Sequence, residues 1–437
     1  MIPNEYIIKN LGSCPHESPL KRHLDPEGRS FHFVSDQERI LVQHRLQEIL
    51  TQVKNRKVVP SLELGGPRKN LYFDPAQTAI GIVTCGGLCP GLNNVIRDLV
   101  MGARHLYGVT RILGFRYGFR GIAAEEPPVE LNTRVVTDIH EQGGSILGSS
   151  RGNQNPVKMV EHLVTLGINI IFIIGGDGSM RGALAISREV EKRDLKISVI
   201  GIPKTIDNDF LYMDQSFGFD TAYAKAVEAI DSAHREAEGA PNGIGLVKLM
   251  GRHSGFIACT ATLASNQVNF VLIPEVPFTM DGSNGFLQAL HSRLEKRQHA
   301  VIVVAEGAGQ DLLKNEGTDK DASGNIKLKD IGTYLSNRIR EHFKMKGMEI
   351  NLKYIDPSYI IRSIKANPFD SLLCTALAFN AVHAGMSGKT EMVVAMYRRS
   401  LVHVPIPLVV SGRNQVDPNG ALWLNVIAST GQPMAFY

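Results

Sequence analysis

The residues best suited to chemistry stand at the ends of short apolar runs. Ile168–Ile174 leads straight into Gly175-Gly176-Asp177-Gly178-Ser179. Glycines let a backbone come close to a phosphate, and a carboxylate such as Asp177 suits Mg²⁺, held directly or through water. Gly178, with no side chain, leaves room for whatever phosphoryl donor lies there. Thr205-Ile206-Asp207-Asn208-Asp209 sets two carboxylates two residues apart, pointing the same way in an extended chain. One suits a base for a hydroxyl, the other a group that orients it or touches metal. Arg252 in Met250-Gly251-Arg252, and Arg151 between Gly148 and Gly152, are cations placed to meet phosphate. Tyr359 and Arg362 form a further polar cluster. Taken singly, each has a plainer alternative: an Asp/Gly turn in which Asp177 caps the next helix, an Asx-rich turn at Asp207, a surface ion pair for each arginine.

Together these pieces contain what phosphoryl transfer needs: glycine cradles, a carboxylate for Mg²⁺, a base and several cations. No Ser-His-Asp or Cys-His arrangement competes, and Gly86–Asn93 matches neither the dinucleotide fingerprint nor a P-loop. Gly388-Lys389-Thr390 fails as a P-loop, because the earlier glycine it requires falls at His383.

The elements that must position these residues read as an α/β parallel sheet. Thr78–Cys85, Ile168–Ile174 and Ile197–Ile202 are predicted strands, each ending in one of the polar loops, with helices over Asn94–Tyr107 and Ser179–Glu191. Ligands of such sheets bind beyond the carboxyl ends of the strands. A second set follows, with a helix over Phe219–Ala237 and strands over Ile244–Leu249, Asn269–Ile273 and Ala300–Ala305. Gln310–Asp330 is polar and reads as a surface loop near a site. Ahead of the first strand, residues 1–75 read as an extension. In it, Ser35–Glu38 forms a capping box for a helix carrying Ile40, Leu41, Leu46, Ile49, Leu50 and Val53.

Composition narrows the class. With 47 Lys+Arg against 43 Asp+Glu and no basic block, nucleic acid is not an expected partner. No apolar run reaches the ~18 residues of a membrane span, no secretory leader is expected, and five spread cysteines suit reduced thiols in a cytoplasm. Cys85 and Cys89 lack the further ligands of a zinc site.

The order of these motifs, Gly86-Gly87 through Pro90-Gly91 to Asn93, then Gly175–Ser179, Pro203–Asp209 and Met250–Arg252, closely resembles the 6-phosphofructokinases. Glu306 and the Pro357–Arg362 segment extend the match, which covers about residues 76 to 410. The long amino-terminal extension looks most like the branch holding pyrophosphate-dependent enzymes and the plant and trypanosomatid ATP-dependent ones. The resemblance implies two Rossmann-like α/β domains with parallel-rich sheets and an active site in the interdomain cleft, plus the extension. A donor domain is expected over 76–218 and 361–410, and a fructose 6-phosphate domain over 219–360 and 411–437. It further implies a cytoplasmic, allosteric homo-oligomer, a dimer or tetramer, that makes fructose 1,6-bisphosphate from ATP and fructose 6-phosphate with Mg²⁺ in glycolysis.

Carried over residue by residue, the resemblance makes Asp207 the general base, Asp177 the Mg²⁺ ligand and Asp209 its support. Thr205 holds the moving phosphoryl group or the sugar, and Arg252 and Arg151 neutralise its charge. Gly87, Gly176, Gly178, Ser179 and Lys204 border the donor. Met250, Gly251 and Glu306 meet the sugar, and Tyr359 and Arg362 its 6-phosphate. Two positions bear on the donor. Pyrophosphate users of the family carry aspartate where this chain has Gly178, and that carboxylate would occupy the place of the ATP α-phosphate. They also carry lysine at position 204, as this chain does. Gly178 weighs more, because it removes a steric and electrostatic block. Short bacterial enzymes also place an arginine eight residues before the Met of Met-Gly-Arg; here positions 242 and 243 are Asn and Gly, so that inter-subunit clamp does not carry over. Kinases of NAD or lipid share the Gly-Gly-Asp-Gly turn but would not need Thr205–Asp209 and Met250–Arg252 in this form. A catalytically silent subunit would be expected to lose Asp177 or Asp207.

Overall fold

The computed structural model describes residues 3–23, 33–55, 57–152, 154–313 and 327–437. The chain divides into two compact units, one of Met1–Thr205, Phe210–Gly218 and Ile364–Arg413, the other of Ile206–Asp209, Phe219–Ser363 and Asn414–Tyr437. The chain therefore changes unit inside the Pro203–Asp209 motif, at the peptide between Thr205 and Ile206.

The first unit is built on a nine-stranded sheet. Its centre is four parallel neighbours, Met392–Tyr397, Ser198–Pro203, Ile170–Gly175 and Ala79–Thr84, followed by the parallel strand Arg111–Phe115. The three motif-bearing strands are almost wholly buried. That is why they read as near-continuous apolar runs: helices cover both faces of a parallel sheet, and no alternation survives. Met392–Tyr397 turns back into Ser400–Pro405 as an antiparallel hairpin through Arg398 and Arg399, both at positive φ.

The segment 1–75 differs from the reading above. The Ser35–Glu38 hydrogen bonds form, with the Ser35 N–H donating to Glu38 Oε1 at 2.7 Å, but the chain then enters a strand, Arg39–Leu41, not a helix. This strand pairs with Ser61–Leu64, which pairs in turn with Ser400–Pro405. Ile40 and Leu41 are thus sheet residues; backbone pairing to Leu62 and Ser61 outweighs the local cap. The helix begins only at Leu46 and runs to Lys54, and none of its residues is buried. Residues 1–75 belong to the first unit and widen its sheet. Lys389 and Thr390 lie in a short strand against Lys9–Asn10, and Lys389 is buried on Glu63 at 3.1 Å, a structural role in place of a phosphate loop. The expected loop over Gln310–Asp330 lies largely outside the described residues.

The second unit holds a four-stranded, all-parallel sheet in the order Phe270–Leu272, His299–Ala305, Gly243–Leu249, Asn351–Ile355. Helices Phe219–Glu238 and Phe256–Ser265 pack on one face with Trp423 and Val426. Phe286–Arg297 and Ile331–Met345 cover the other, around Phe286, Leu290, Leu335 and Phe343. The outermost strand, Asn351–Ile355, was not in the sequence reading, because an edge position leaves its Asn351 and Lys353 exposed and its apolar signal thin.

Candidate active site

In the first unit the glycine turns gather at the carboxyl ends of three adjacent strands, where Thr84 registers with Ile174, and Gly175 with Pro203. The loops are tied to one another by backbone bonds: Cys85 N–H to the Ile174 carbonyl (2.8 Å), Gly86 N–H to the Ser150 carbonyl (3.1 Å) and Lys204 N–H to the Gly175 carbonyl (2.9 Å). Lys204 is buried, and its Nζ donates to the Gly87 carbonyl at 2.7 Å. A Cβ on Gly87 would stand 3.6 Å from Arg151 Nη2, so Arg151 leans over the same turn. Ser179 is buried, its Oγ pressed against Gly175, where a Cβ would collide with it.

Gly176 caps the helix Asp177–Lys192, and no side chain closes that end. The positive end of a 16-residue helix is thus offered to an anion through free backbone N–H groups. Asp177 does not cap it. Its Oδ2 instead pairs with Arg181 Nε (3.2 Å) and Arg413 Nη2 (3.5 Å). Gly178 is exposed, its φ is not positive, and a Cβ there would meet nothing within 4 Å. Neither packing nor backbone conformation requires glycine at 178, unlike Gly175. Arg181 also donates to the Val410 carbonyl at 2.8 Å and lines a hollow of about 280 Å³ with Phe119, Pro156, Met159 and Gly182. Arg181, Arg413, Phe119 and Met159 were not singled out from the sequence. Arg181 had a signal, since it stands four residues after Asp177 on one helix face; Arg413 is distant in the chain and had none.

In the second unit the residues expected to meet the sugar likewise follow strand ends. Met250 follows Gly243–Leu249, Glu306 follows His299–Ala305, and Leu249 registers with Ala305. Two glycines let these turns close on each other. Gly251 has φ +131°, and a Cβ would stand 2.5 Å from the Ser254 carbonyl oxygen; one on Gly307 would collide with the Arg252 carbonyl. Gly307 N–H donates to the Gly251 carbonyl at 3.0 Å. Asp207 is held against this turn: its Oδ2 accepts from the Arg252 N–H (3.2 Å), and its carbonyl accepts from Ser254 Oγ (3.0 Å). Burial, with the negative charges of Asp209 and Glu306, pushes the Asp207 carboxyl up to about 7, against the Arg252 N–H and the Arg362 charge, which pull it down. Arg362 donates from Nε to Met250 Sδ at 3.2 Å and lies 6.0 Å from the centre of the Tyr359 ring, which is 82% exposed. Asp207, Asp209, Met250, Gly251, Arg252, Glu306, Tyr359 and Arg362 all belong to this unit, whereas Gly87, Arg151, Gly176, Asp177, Gly178, Ser179, Lys204 and Thr205 belong to the first. Asn242 turns at φ +48° with its side chain on the Glu349 carbonyl (2.9 Å), and Gly243 has no room for a Cβ. The clamp position is taken up by a structural turn.

Mg²⁺ takes one or two carboxylates plus phosphate oxygens and water. Asp177 fits that donor set, with Oδ1 left outside its two arginine pairs. Cys85 does not suit a metal, because burial pushes its thiol up to about 12.

The family model described as Phosphofructokinase matches residues 79–385. The chain is 49% identical over 436 residues to the ATP-dependent 6-phosphofructokinase of Amycolatopsis methanolica, covering 98% of this chain and 95% of that one. It is 50% identical over 372 residues to ATP-dependent 6-phosphofructokinase 1 of Arabidopsis thaliana, covering 84% of this chain and 78% of that one. A Pichia pastoris phosphofructokinase solved in its T-state shares the fold at a TM-score of 0.63 and 21% identity, over 81% of this chain and 37% of the length of that one. Motifs, topology and these likenesses agree, and the chain belongs to the phosphofructokinase family.

Proposed function

We propose that this protein transfers the γ-phosphoryl group of ATP to the 1-hydroxyl of fructose 6-phosphate. The observation that carries the reading is Asp207: a carboxylate raised to about 7 by burial and two acidic neighbours, and aimed by one backbone N–H. A base works best when its pKa lies near the working pH, and few structural carboxylates are kept so costly without use. In this reading Asp207 takes the hydroxyl proton, and Asp209 and Glu306 keep its pKa high. Arg252 and Arg151 offset charge on the transferred group, with Thr205 beside it. Met250, Gly251 and Glu306 hold the sugar, and Tyr359 and Arg362 its 6-phosphate. Gly87, Gly176, Gly178, Ser179 and the open helix end receive donor phosphates, with Asp177 holding Mg²⁺. Bound Mg²⁺ would neutralise phosphate oxygens there. The chain would act as a homo-oligomer in the cytoplasm.

ATP is favoured as donor by open space at Gly178 and by the apolar hollow reached through Arg181, which suits a planar base and which pyrophosphate would not need. Pyrophosphate is the second reading, and Lys204 is its support: a buried cation directly under the Gly86–Gly87 turn. Lys204 is compatible with either donor, and the carbonyl it holds makes it also a brace of the turn. Asp207→Ser tests the base: kcat should fall by about 10² to 10⁴ with the KM for fructose 6-phosphate nearly unchanged. Loss of sugar binding at unchanged kcat would contradict the assignment.

A further inference from the structure

At the end of the four-stranded sheet away from the sugar-side loops, two imidazoles and a carboxylate converge. His234 and Glu238 share a face near the carboxyl end of the helix Phe219–Glu238, and His299 opens the strand His299–Ala305. His234 Nε2 lies 3.4 Å from Glu238 Oε1, the His234 and His299 rings are 5.5 Å apart between centres, and one ligand atom from each of the three residues lies within 4.8 Å of the others. A tetrahedral ion with bonds of about 2.0–2.1 Å holds its ligands about 3.3 Å apart. The His234–Glu238 spacing already has that value, and it is long for a charge-assisted hydrogen bond.

Two further contacts favour ligation. His299 Nδ1 donates to the Arg297 carbonyl at 3.1 Å, which leaves the Nε2 lone pair for a metal, the usual outer arrangement of a ligating histidine. Glu238 Oε2 accepts from Arg235 Nη1 at 2.9 Å, so Oε1 can bind while Arg235 keeps its partner.

We propose that His234, Glu238 and His299 form a binding site for a divalent transition ion of the zinc class, with a further position open to water. Two imidazoles and one carboxylate select such an ion over Mg²⁺ or Ca²⁺, which prefer oxygen alone. The strand from His299 to Ala305 separates this site from Glu306 by about 20 Å at ~3.3 Å per residue. The ion therefore acts as a clasp between helix and sheet, with no part in phosphoryl transfer.

The test uses the full chain, stripped with a chelator and then kept in saturating Mg²⁺. Co²⁺ is titrated and followed by its visible absorption, and Zn²⁺ is followed by thermal unfolding. The expected result is one Co²⁺ per chain with a tetrahedral or five-coordinate spectrum, displaced by Zn²⁺. Zn²⁺, but not Ca²⁺, should give a saturable rise in Tm. His299→Ala and Glu238→Gln should each weaken Co²⁺ binding at least tenfold with kcat unchanged. Should His299→Ala fail to fold, His299→Gln takes its place. No saturable Co²⁺ spectrum in the parent chain overturns the proposal, as does a spectrum that survives both substitutions or one dominated by thiolate bands.

Discussion

In the proposed reaction Asp207 and Gly178 act in opposite ways, one by a group placed at a cost and the other by a group left out. Burial, with the charges of Asp209 and Glu306, pushes the Asp207 carboxyl from its ordinary 3.8 up to about 7. The folded state therefore holds the proton more tightly. Its stability falls, relative to a neutral side chain, as pH rises from about 4 to about 7, and the penalty is complete above that range. Asp207→Asn should thus raise Tm more at pH 8.5 than at pH 5.5, by a stability on the order of a few kcal/mol at most; equal shifts at both pH values would show that Asp207 is not raised. In the parent enzyme kcat/KM for the sugar phosphate should fall about tenfold per pH unit below about 7. Gly178 lies in open space, so Gly178→Asp should leave the stability within about 0.5 kcal/mol of the parent's. It should lower kcat/KM for ATP at least tenfold, since in the proposed reading a carboxylate there would face the donor phosphates. Unchanged ATP kinetics would remove Gly178 from the account. Both residues were legible in the sequence because glycine and aspartate at strand ends have few other uses in such number. Arg413 was not, because only the fold brings it to Asp177.

At the scale of elements, the fully buried parallel strands that carry the motifs were legible, while the parallel strands Arg111–Phe115 and Asn351–Ile355 and the antiparallel ones were not. Ile170–Gly175 and Ser198–Pro203 are fully buried, so their apolar runs are unbroken. The hairpin of Met392–Tyr397 and Ser400–Pro405 turns through Arg398 and Arg399 at φ +52° and +59°, with none of the Asn-Gly chemistry that marks such turns. The strand Arg39–Leu41 was hidden by a true local cap at Ser35–Glu38. The element that matters most for the site is the Met250–Arg252 turn. Gly251→Ala would force a Cβ to 2.5 Å from the Ser254 carbonyl at φ +131°, so the turn must open and withdraw the Arg252 N–H from Asp207. Activity should fall more than tenfold, with a stability loss of about 2 kcal/mol or more. Parent-like kinetics for Gly251→Ala would mean that this turn does not aim the base.

At the scale of the whole molecule, the residues of the proposed reaction fall on two units. The glycine turns, Asp177 and Lys204 lie on one, and Asp207 with its acidic neighbours and Arg252 lie on the other. The chain crosses between them five times, after Thr205, Asp209, Gly218, Ser363 and Arg413, and the first crossing lies inside a single motif. Residues 1–75, read from sequence as an extension, belong to the first unit. Glu63 from this segment is buried against Lys389 (3.1 Å), Arg68 (2.9 Å) and His403 (3.0 Å), and its removal would leave Lys389 and Arg68 to share Asp36 alone, at 2.8 Å each. That role was illegible because its partners lie more than 300 residues away for Lys389 and His403. One assay addresses the whole reaction: formation of fructose 1,6-bisphosphate from fructose 6-phosphate by the full chain, with Mg-ATP and with Mg-pyrophosphate as alternative donors. Turnover is expected with ATP, with at least a hundredfold lower kcat/KM for pyrophosphate. Turnover with pyrophosphate alone would contradict it.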